Sequence, residues 1–500
     1  MTKVLSEAVT LLLAPESSFG TQPTSGWVQV QPNPGGIQDW VSKFQTVERD
    51  PLSKYATMEK GEVVGLDGTP KITHDLTKDL VDIIATSIFR SAAKHAGNKG
   101  QSLYRPTAVT STGYTVAALG DLTAGLLIHA KGFATAANNG LKVVAAASTA
   151  TEIKASGLTA ETVATSTGAT VEVAGVQGDS GDIQFNSSGN LISTTLDFTT
   201  LGLNVGQTIK VGDGDAANSF ATTAYNGRAR IVSIAANLIT LEHHTWTPGS
   251  ADNGSGKTIR LLFSRWYRNV SLDHADYLEP TLHGELEELG AGAGGVATYT
   301  YASGMALKTL ELDAPLESKI TATMTFCAQD IDDPVLAASR ATGADSPRRP
   351  MAANLYQTSS GLVGAPRFVI DSSSTNLTTE VNSWKWTMEH NIKPRDIQGT
   401  LGAVDMDYGK VQPSLSMEVY YNTSGIPVTL RANDSCWFDV CMRNADGAFH
   451  IDMPLVAARG GARTYAANTA VMCSLDVPGF RDPTTNIVSS LSVFAYHPAS

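Results

Sequence analysis

The chain is poor in charge, in cysteine and in long apolar runs, and each shortage removes a class of function. Only 17% of its 500 residues are charged. Lys and Arg number 36 against 48 Asp and Glu, a formal net charge of −12, and no basic run is long enough to grip phosphates. Tight nucleic-acid binding depends on such runs, because affinity comes from neutralised phosphates, so it is not expected here. An acidic surface suits either plain solubility or a conduit that repels a polyanion. The four cysteines, Cys327, Cys436, Cys441 and Cys473, form no CxxC pair and read as buried thiols of a reducing compartment. Cys436 and Cys441 are an odd number of residues apart, so on one straight strand they face opposite ways, against a disulfide or a shared metal. The apolar stretch from Val9 to Ala14 is short and bracketed by Glu7 and Glu16, unlike a secretory signal. No later run approaches the roughly 18 apolar residues of a membrane span, so neither export nor a span is expected.

Motifs for catalysis and ligands are equally scarce. Ala251 to Thr258 fits a relaxed phosphate-loop pattern, but Lys257 leads into Thr258-Ile-Arg-Leu-Leu-Phe263, which reads as a strand. A phosphate loop must open a helix whose N-terminus faces the anion. Asp213-Gly-Asp215 and Asp330-Ile-Asp332-Asp333 offer oxygens without the Gly and Glu spacing of a calcium loop, so turns are expected. His243 and His244 are adjacent on an expected strand and so point apart, with no third ligand at useful spacing. There is no GxSxG elbow, and Glu287-Glu288 reads as a solvated loop. The prediction is a non-enzyme with no catalytic residue, cofactor or metal.

What the chain does have is 42% apolar content, abundant Gly, Ala, Ser and Thr, and alternation. Its length suggests two to four domains. Ile320, Ala322, Met324 and Phe326 alternate with Thr321, Thr323, Thr325 and Cys327, and Trp384, Trp386 and Met388 alternate with Lys385, Thr387 and Glu389. Leu415, Met417, Val419 and Tyr421 do the same. Strands of period two bury one face and predict antiparallel sheets packed as a sandwich or barrel. One helix is predicted over 75–89, where Leu76, Leu80, Ile83, Ile84 and Ile88 share a face and Thr73 or Asp75 is available as N-cap.

Two internal repeats organise the rest. Thr46-Val47-Glu48-Arg49 returns as Thr387-Met388-Glu389-His390, and at the same offset of 341 Ser42, Gly61, Val63 and Gly68 return as Ser383, Gly402, Val404 and Gly409. This predicts one β-unit present twice. Between about Gly113 and Phe263 the texture changes to Ala, Thr, Gly and Asn. There Leu122-Thr-Ala-Gly125-Leu-Leu-Ile128 resembles Leu203-Asn-Val-Gly206-Gln-Thr-Ile209, each followed by an Asn-Gly pair, Asn139-Gly140 or Asn226-Gly227, that reads as a hairpin turn. The expected plan is mainly β: tandem units at 1–110 and 263–500, with an inserted pair of small β-modules at 111–262. Insertion at an exposed loop costs little closure entropy. Ser339 to Ala365 reads as a long loop of the second unit.

Ala14-Pro-Glu16-Ser-Ser-Phe19-Gly20-Thr21-Gln-Pro23, then Trp27, then Thr46-Val47-Glu48-Arg49 and the Gly-rich turn before Leu76 resemble the start of the tail tube (major tail) proteins of long-tailed, siphovirus-type bacteriophages. Met305 to Leu312, Lys319 to Phe326, Asn391 after Trp386, and Asp446-Gly447 through Met453-Pro454-Leu455 to Val493-Phe494 follow in the same order. The likeness covers about two thirds of the chain. It implies β-sandwiches with little helix, rings whose inner sheets join into one barrel, and stacked rings that carry a genome from capsid to host. Partners so implied are further copies of the chain, a tape-measure protein, tail terminator and distal tail proteins, and double-stranded DNA passing without specific binding. The protein would be assembled in the host cytoplasm and serve in the virion tail. The 341-residue repeat favours three double units per ring over six single ones, and the insertion would sit outside, where it cannot block the bore.

Every second residue of an inner strand lines such a bore, which makes Glu48, Glu389 and Glu418 candidates; the opposite orientation remains open. Ring stacking in the family uses a loop between inner strands and a terminal arm. By position these are Asp50 to Glu59, with Asp50, Lys54 and Tyr55, then Ile392 to Thr400, with Lys393 and Arg395, and the arm at Phe19-Gly20. The competing readings are a multi-domain β-rich binding or adhesion protein, and an enzyme on a β-scaffold.

Overall fold

The computed structural model describes residues 4–48, 60–95, 97, 101–117, 119, 122–145, 148–290, 295–347, 354–359, 361–362, 366–370, 375–376, 381–421, 433–465, 467 and 469–498. Alternation becomes strand. In chain order the main elements outside the insertion are β1 (Val4–Pro15), β2 (Lys43–Val47), β3 (Glu62–Asp67), β4 (Lys71–Asp75), α1 (Lys78–Phe89), β5 (Arg265–Arg268), β6 (Leu282–Gly290), β7 (Ala297–Ala314) and β8 (Thr321–Cys327). There follow β9 (Val381–Glu389), β10 (Gln412–Tyr420), β11 (Cys436–Asn444), β12 (Gly447–Val456), β13 (Arg459–Thr464), β14 (Met472–Pro478) and β15 (Ser490–Phe494).

One antiparallel sheet runs β1, β6, β7, β9, β10, β14, β13, with β8 also on β7 and β4 beyond β8. The long β7 serves two partnerships: residues 297–305 lie against β6, and residues 306–314 lie between β8 and β9. Gly304 marks the change, in left-handed backbone at φ +58, where a Cβ would come within 2.8 Å of both the Phe19 ring and the Gln329 side chain. The second sheet runs β11, β12, β15, β5 and ends on the short strand Lys94–His95. Leu310, Leu312, Trp386, Met388, Leu415 and Met417 of the first sheet meet Phe438, Val440, Met442, Phe449, Ile451 and Val493 of the second, with Leu80, Ile84 and Ile88 of α1 completing the cluster.

The helix begins later than the sequence pattern predicted. β4 continues through Asp75, Leu76 N donates to Ile320 O at 2.8 Å, and Thr77 caps α1 by accepting from Leu80 N at 3.4 Å. Thr73 and Asp75, the expected caps, belong to the strand, because sheet pairing takes their backbone groups first.

The 341-residue repeat does not mark two sandwiches. Thr46 and Val47 lie in β2, which pairs with β3 in a separate hairpin, whereas Thr387 to Glu389 lie in β9, inside the main sheet. Strands from the two ends of the chain pair with each other, β1 with β6 and β4 with β8, and their side chains share one core. A few matched β-formers and turn glycines do not specify partners, since strand preference reflects packing context rather than address.

The insertion has a core of its own. Strand Leu126–Lys131 pairs with Gly140–Val143 and Thr170–Gln177, and strand Thr208–Val211 pairs with Arg228–Ala235 and Arg260–Leu262. Thr170–Gln177 then pairs with Arg260–Leu262, so the two repeats meet in a palindromic strand order. The Asn-Gly pairs are not two-residue turns. Asn139 accepts from Phe133 N at 3.1 Å and donates to Phe133 O at 2.8 Å, and Asn226 does the same with Phe220 at 2.8 and 2.9 Å. In each repeat the amide side chain clamps a loop across six residues, standing in for the backbone partner that a tight turn would supply. The insertion enters and leaves by neighbouring strands, for His95 sits opposite Arg265.

Smaller expectations fared variously. Lys257 precedes strand Arg260–Leu262, and its Nζ donates to Ala216 O at 2.6 Å. Asp213 and Asp215 accept from the backbone amides two residues on, as turn residues do. Glu287 and Glu288 lie on β6 rather than in a loop, because pairing with both β1 and β7 extends that strand. Cys436 faces the sandwich core and Cys441 the other side of β11.

Candidate functional site

Three surfaces of the sandwich differ in chemistry. The first is the outer face of β7, β9, β10 and β14, opposite the tryptophan-lined core. Register places its side chains in cross-strand rows: Thr309, Glu389 and Gln412; Glu311, Thr387 and Ser414; Asp313, Lys385, Ser416 and Asp476; Ser383, Glu418 and Ser474. The face is hydroxyl-rich, and the carboxylates Glu311, Asp313, Glu389, Glu418 and Asp476 stand against the ammonium of Lys385, which reaches Glu311 at 3.6 Å. Glu389 and Glu418 therefore share one exposed face. Glu48 does not join them; it is exposed at the end of β2, on the hairpin. Glu311, Asp313 and Asp476 were missed by the sequence reading, although the same alternation in Leu310 to Ala314 and Cys473 to Val477 carries them.

The second surface is the outer face of the other sheet, and the insertion covers it. Glu172 of the insertion accepts from Lys78 of α1 at 2.8 Å and from Arg265 of β5 at 2.6 Å, while Asp82 of α1 accepts from the same two side chains. Nearby, Arg230 donates to Asp452 at 3.1 Å, Arg367 donates to Asp439 and to the carbonyls of His243 and His244, and the His243 ring stacks on Trp437 at 4.0 Å. The adjacent His243 and His244 diverge as expected, His244 turning to Trp246. Burial opposes ionisation of Asp82 and Glu172, but Arg265 and Lys78 outweigh it and hold both carboxyls below their ordinary range. Burial is likewise outweighed at Asp439, by Arg367, whereas at Asp452 burial wins and the carboxyl is raised.

The sign of the acid response follows from these shifts. Depressed carboxyls contribute stability that is complete above their unfolded value of about 4 and is lost as pH falls toward their folded values. Asp452, being raised, returns part of that loss. The urea midpoint is expected to fall as pH drops below about 4, and a Glu172→Gln variant should show a shallower fall; equal slopes in both proteins would remove Glu172 from the account.

Residues 245–479 match the family model described as phage tail tube protein. No curated protein matches the chain. The matched region runs from the end of the insertion through β14 and includes every strand of the hydroxyl-rich face. The match supports a structural role in a phage tail tube, as part of the virion, rather than catalysis.

The third surface lies at the end of the sheet where β9 finishes and β10 starts. The turn after β1, the ribbon of Lys393–Arg395 paired with Asp405–Asp407, and the foot of the β2–β3 hairpin converge there. Phe19 and Tyr408 pack on Ala306, Cys327, Ile392, Ala403 and Met406, and a Cβ at Gly402 would approach the Gln329 carbonyl to 2.9 Å. Gly20 takes left-handed backbone, φ +68, and donates to Glu16 at 2.9 Å. Lys393 is exposed, and Arg395 pairs with Asp405 at 3.1 Å and with Asp407. Asp50, Lys54 and Tyr55 lie outside the described residues. Around this end the apolar side chains of Val41, Phe44, Val47, Val63, Val64, Ile397 and Leu401 are exposed, Phe44 by 64%. Such a concentration on a soluble surface marks a contact site.

Glu16 also accepts from Thr281 Oγ1 at 2.6 Å and Gly304 N at 2.8 Å, and its Oε1 lies 3.0 Å from His283 Nδ1. The Pro15-Glu16 to Gly20 run is thus a turn organised around one buried carboxylate.

Proposed function

We propose that the chain is a tail tube subunit of a long-tailed, siphovirus-type phage, stacked in rings that conduct the genome into the host cell. The observation that carries this reading is the opposition of faces: one sheet presents hydroxyls and excess carboxylates, and the other is covered by the insertion. A ring of copies with the polar faces inward has a bore that repels a polyanion, and its modules stand outside where they leave the bore clear. Glu389, Glu418, Glu311, Asp313 and Asp476 line the bore in this arrangement, while Glu48 belongs to the joint between rings. The tube unit comprises residues 4–95 and 265–498, and 101–263 form the outer module. One sandwich per chain favours six chains per ring over three.

Sheet edges favour closure as well. Among the described residues β13 ends the main sheet with an unpaired edge, and joining it to a neighbouring copy removes that edge. Phe19, Gly20, Lys393 and Arg395 then lie at the ring joint, with the hairpin. The tape-measure protein and later double-stranded DNA occupy the bore, terminator and distal proteins close its ends, and assembly takes place in the host cytoplasm. Negative-stain electron microscopy of the purified chain at rising concentration tests the proposal. Hollow six-lobed rings and tubes are expected; compact particles without a bore at every concentration would overturn it.

A further inference from the structure

At the hairpin end, a cavity of about 480 Å³ is lined by Gly20, Gln22, His283, Ser303, Gln329, Asp330, Asp332 and Leu401, among others. Its polar lining combines the carboxylates of Asp330 and Asp332 with amide and hydroxyl groups that both donate and accept. His283 is only 3% exposed, and its Nδ1 lies 3.0 Å from Glu16 Oε1. Its Nε2 is buried and has no hydrogen-bond partner among the described residues. Asp330 accepts through Oδ1 from Ser42 Oγ and Ile331 N, each at 2.7 Å, and its Oδ2 has no hydrogen bond among the described residues. Asp332 is exposed and has no ion pair among the described residues. Partial burial and the neighbouring Asp330 and Asp333 hold its carboxyl above the usual range, the mark of a carboxylate short of a cation.

Two carboxylates at one cavity favour an occupant that carries positive charge. Among the described residues no three His, Cys, Asp or Glu side chains converge as metal ligands, which disfavours a bare ion and favours a side chain that can spread its donors. The opposite end of the same strands offers one. Tyr420 pairs with Met472 and Met472 with Thr464, so the end of β13 lies a full strand length from Glu389 and Gln412. There Arg463 is exposed, with its guanidinium over the Tyr421 ring at 4.3 Å and no carboxylate partner among the described residues. Lys319, also at that end, is held by Asp75 at 2.8 Å.

We propose that the acidic cavity formed by His283, Asp330 and Asp332 receives Arg463 of the next copy in the stack, so that one chain docks head to tail on another through a desolvated guanidinium. The inference rests on the tube reading and adds the contact that sets its direction. A contact between different patches on identical chains, when the copies are related by a step along the stack and not by a closing rotation, propagates as an open stack.

The test uses the full chain and compares wild type with Asp332→Arg, Arg463→Asp and the double variant by sedimentation velocity and electron microscopy. Both side chains are exposed, so equal urea midpoints are expected to show that folding is intact. Each single variant should raise the critical concentration for tubes roughly tenfold or more while rings still form, and the double variant should restore it. Tubes from the single variants at the wild-type concentration, or no restoration in the double, would overturn the inference and leave the tube reading standing. Tubes that dissolve in chelator and return with added calcium, with Arg463→Asp silent, would assign the cavity to a metal ion instead. Wild type that never forms a ring overturns both readings.

Discussion

Replacement of Glu172 by glutamine is expected to destabilise the protein by about 3–5 kcal/mol, the usual cost of leaving a buried cation unpaired. Lys78, Glu172 and Arg265 are buried and Asp82 is half-buried, and their charges cancel within one cluster that spans α1, β5 and the insertion. Glutamine keeps the shape of Glu172 but leaves the cluster one charge positive in a medium that screens poorly. A shift of the urea midpoint measures the loss. Adding Lys78→Met removes the stranded cation, so the double variant should lose less than the sum of the two single changes. Arg395→Ala provides the contrast, because its pairs with Asp405 and Asp407 are exposed and no measurable shift is expected. If Glu172→Gln behaves like Arg395→Ala, the insertion is not locked to the sandwich through this cluster.

Trp386→Ala should cost a similar amount, about 3–5 kcal/mol, for a different reason. Trp386 is 1% exposed in the central cluster, with its ring centroid 6.4 Å from that of Phe89. A small void of about 20 Å³ already lies between Trp386, Leu76, Ile84, Leu310 and Phe449. Truncation enlarges it in a place held by two sheets and a helix, which cannot collapse freely. Its chain neighbour Thr387 points to the hydroxyl-rich face, and Thr387→Ala should stay within about 0.5 kcal/mol of wild type. The two variants, adjacent in sequence, read which face of β9 is inside; similar losses from both would mean that the polar face is not a free surface. Trp386 Nε1 has no hydrogen-bond partner among the described residues, so Trp386→Phe should lose packing alone and fall between them.

Sequence pattern resolved what is local. The faces of β8, β9 and β10 follow directly from their alternation, and α1 follows from its apolar stripe. Partnership between distant strands was not legible, because nothing in the composition of β1 names β6, or in β4 names β8, and the offset likeness of 46–49 to 387–390 pointed to the wrong relation. The insertion's internal repeat was legible through its glycines and Asn-Gly pairs, though the asparagines act as clamps. Glu172 alternates with Val171 and Val173 and reads as an outward polar residue; only the covering of its face makes it a buried charge. The acidic cavity was hidden for the same reason. Glu16, His283 and Asp332 are far apart in sequence, and the run Asp330 to Asp333 has the composition of an ordinary turn.

The pairing of Lys94–His95 with β5 has an evolutionary reading. Paired strand residues sit about 5 Å apart, so the whole insertion hangs from a doorway narrow enough for a foreign β-module to be spliced in without moving the sandwich. The doorway alone would make such modules freely interchangeable between phages. The charges behind it impose a condition on the exchange: an incoming module must bring a carboxylate to the place of Glu172, and a counterpart of Arg230 for Asp452, or arrive together with neutral replacements for Lys78 and Arg265. Inserted modules of this kind should therefore travel with their docking residues as a single heritable unit, and recombination breakpoints should fall beyond α1 and β5 rather than at the doorway itself.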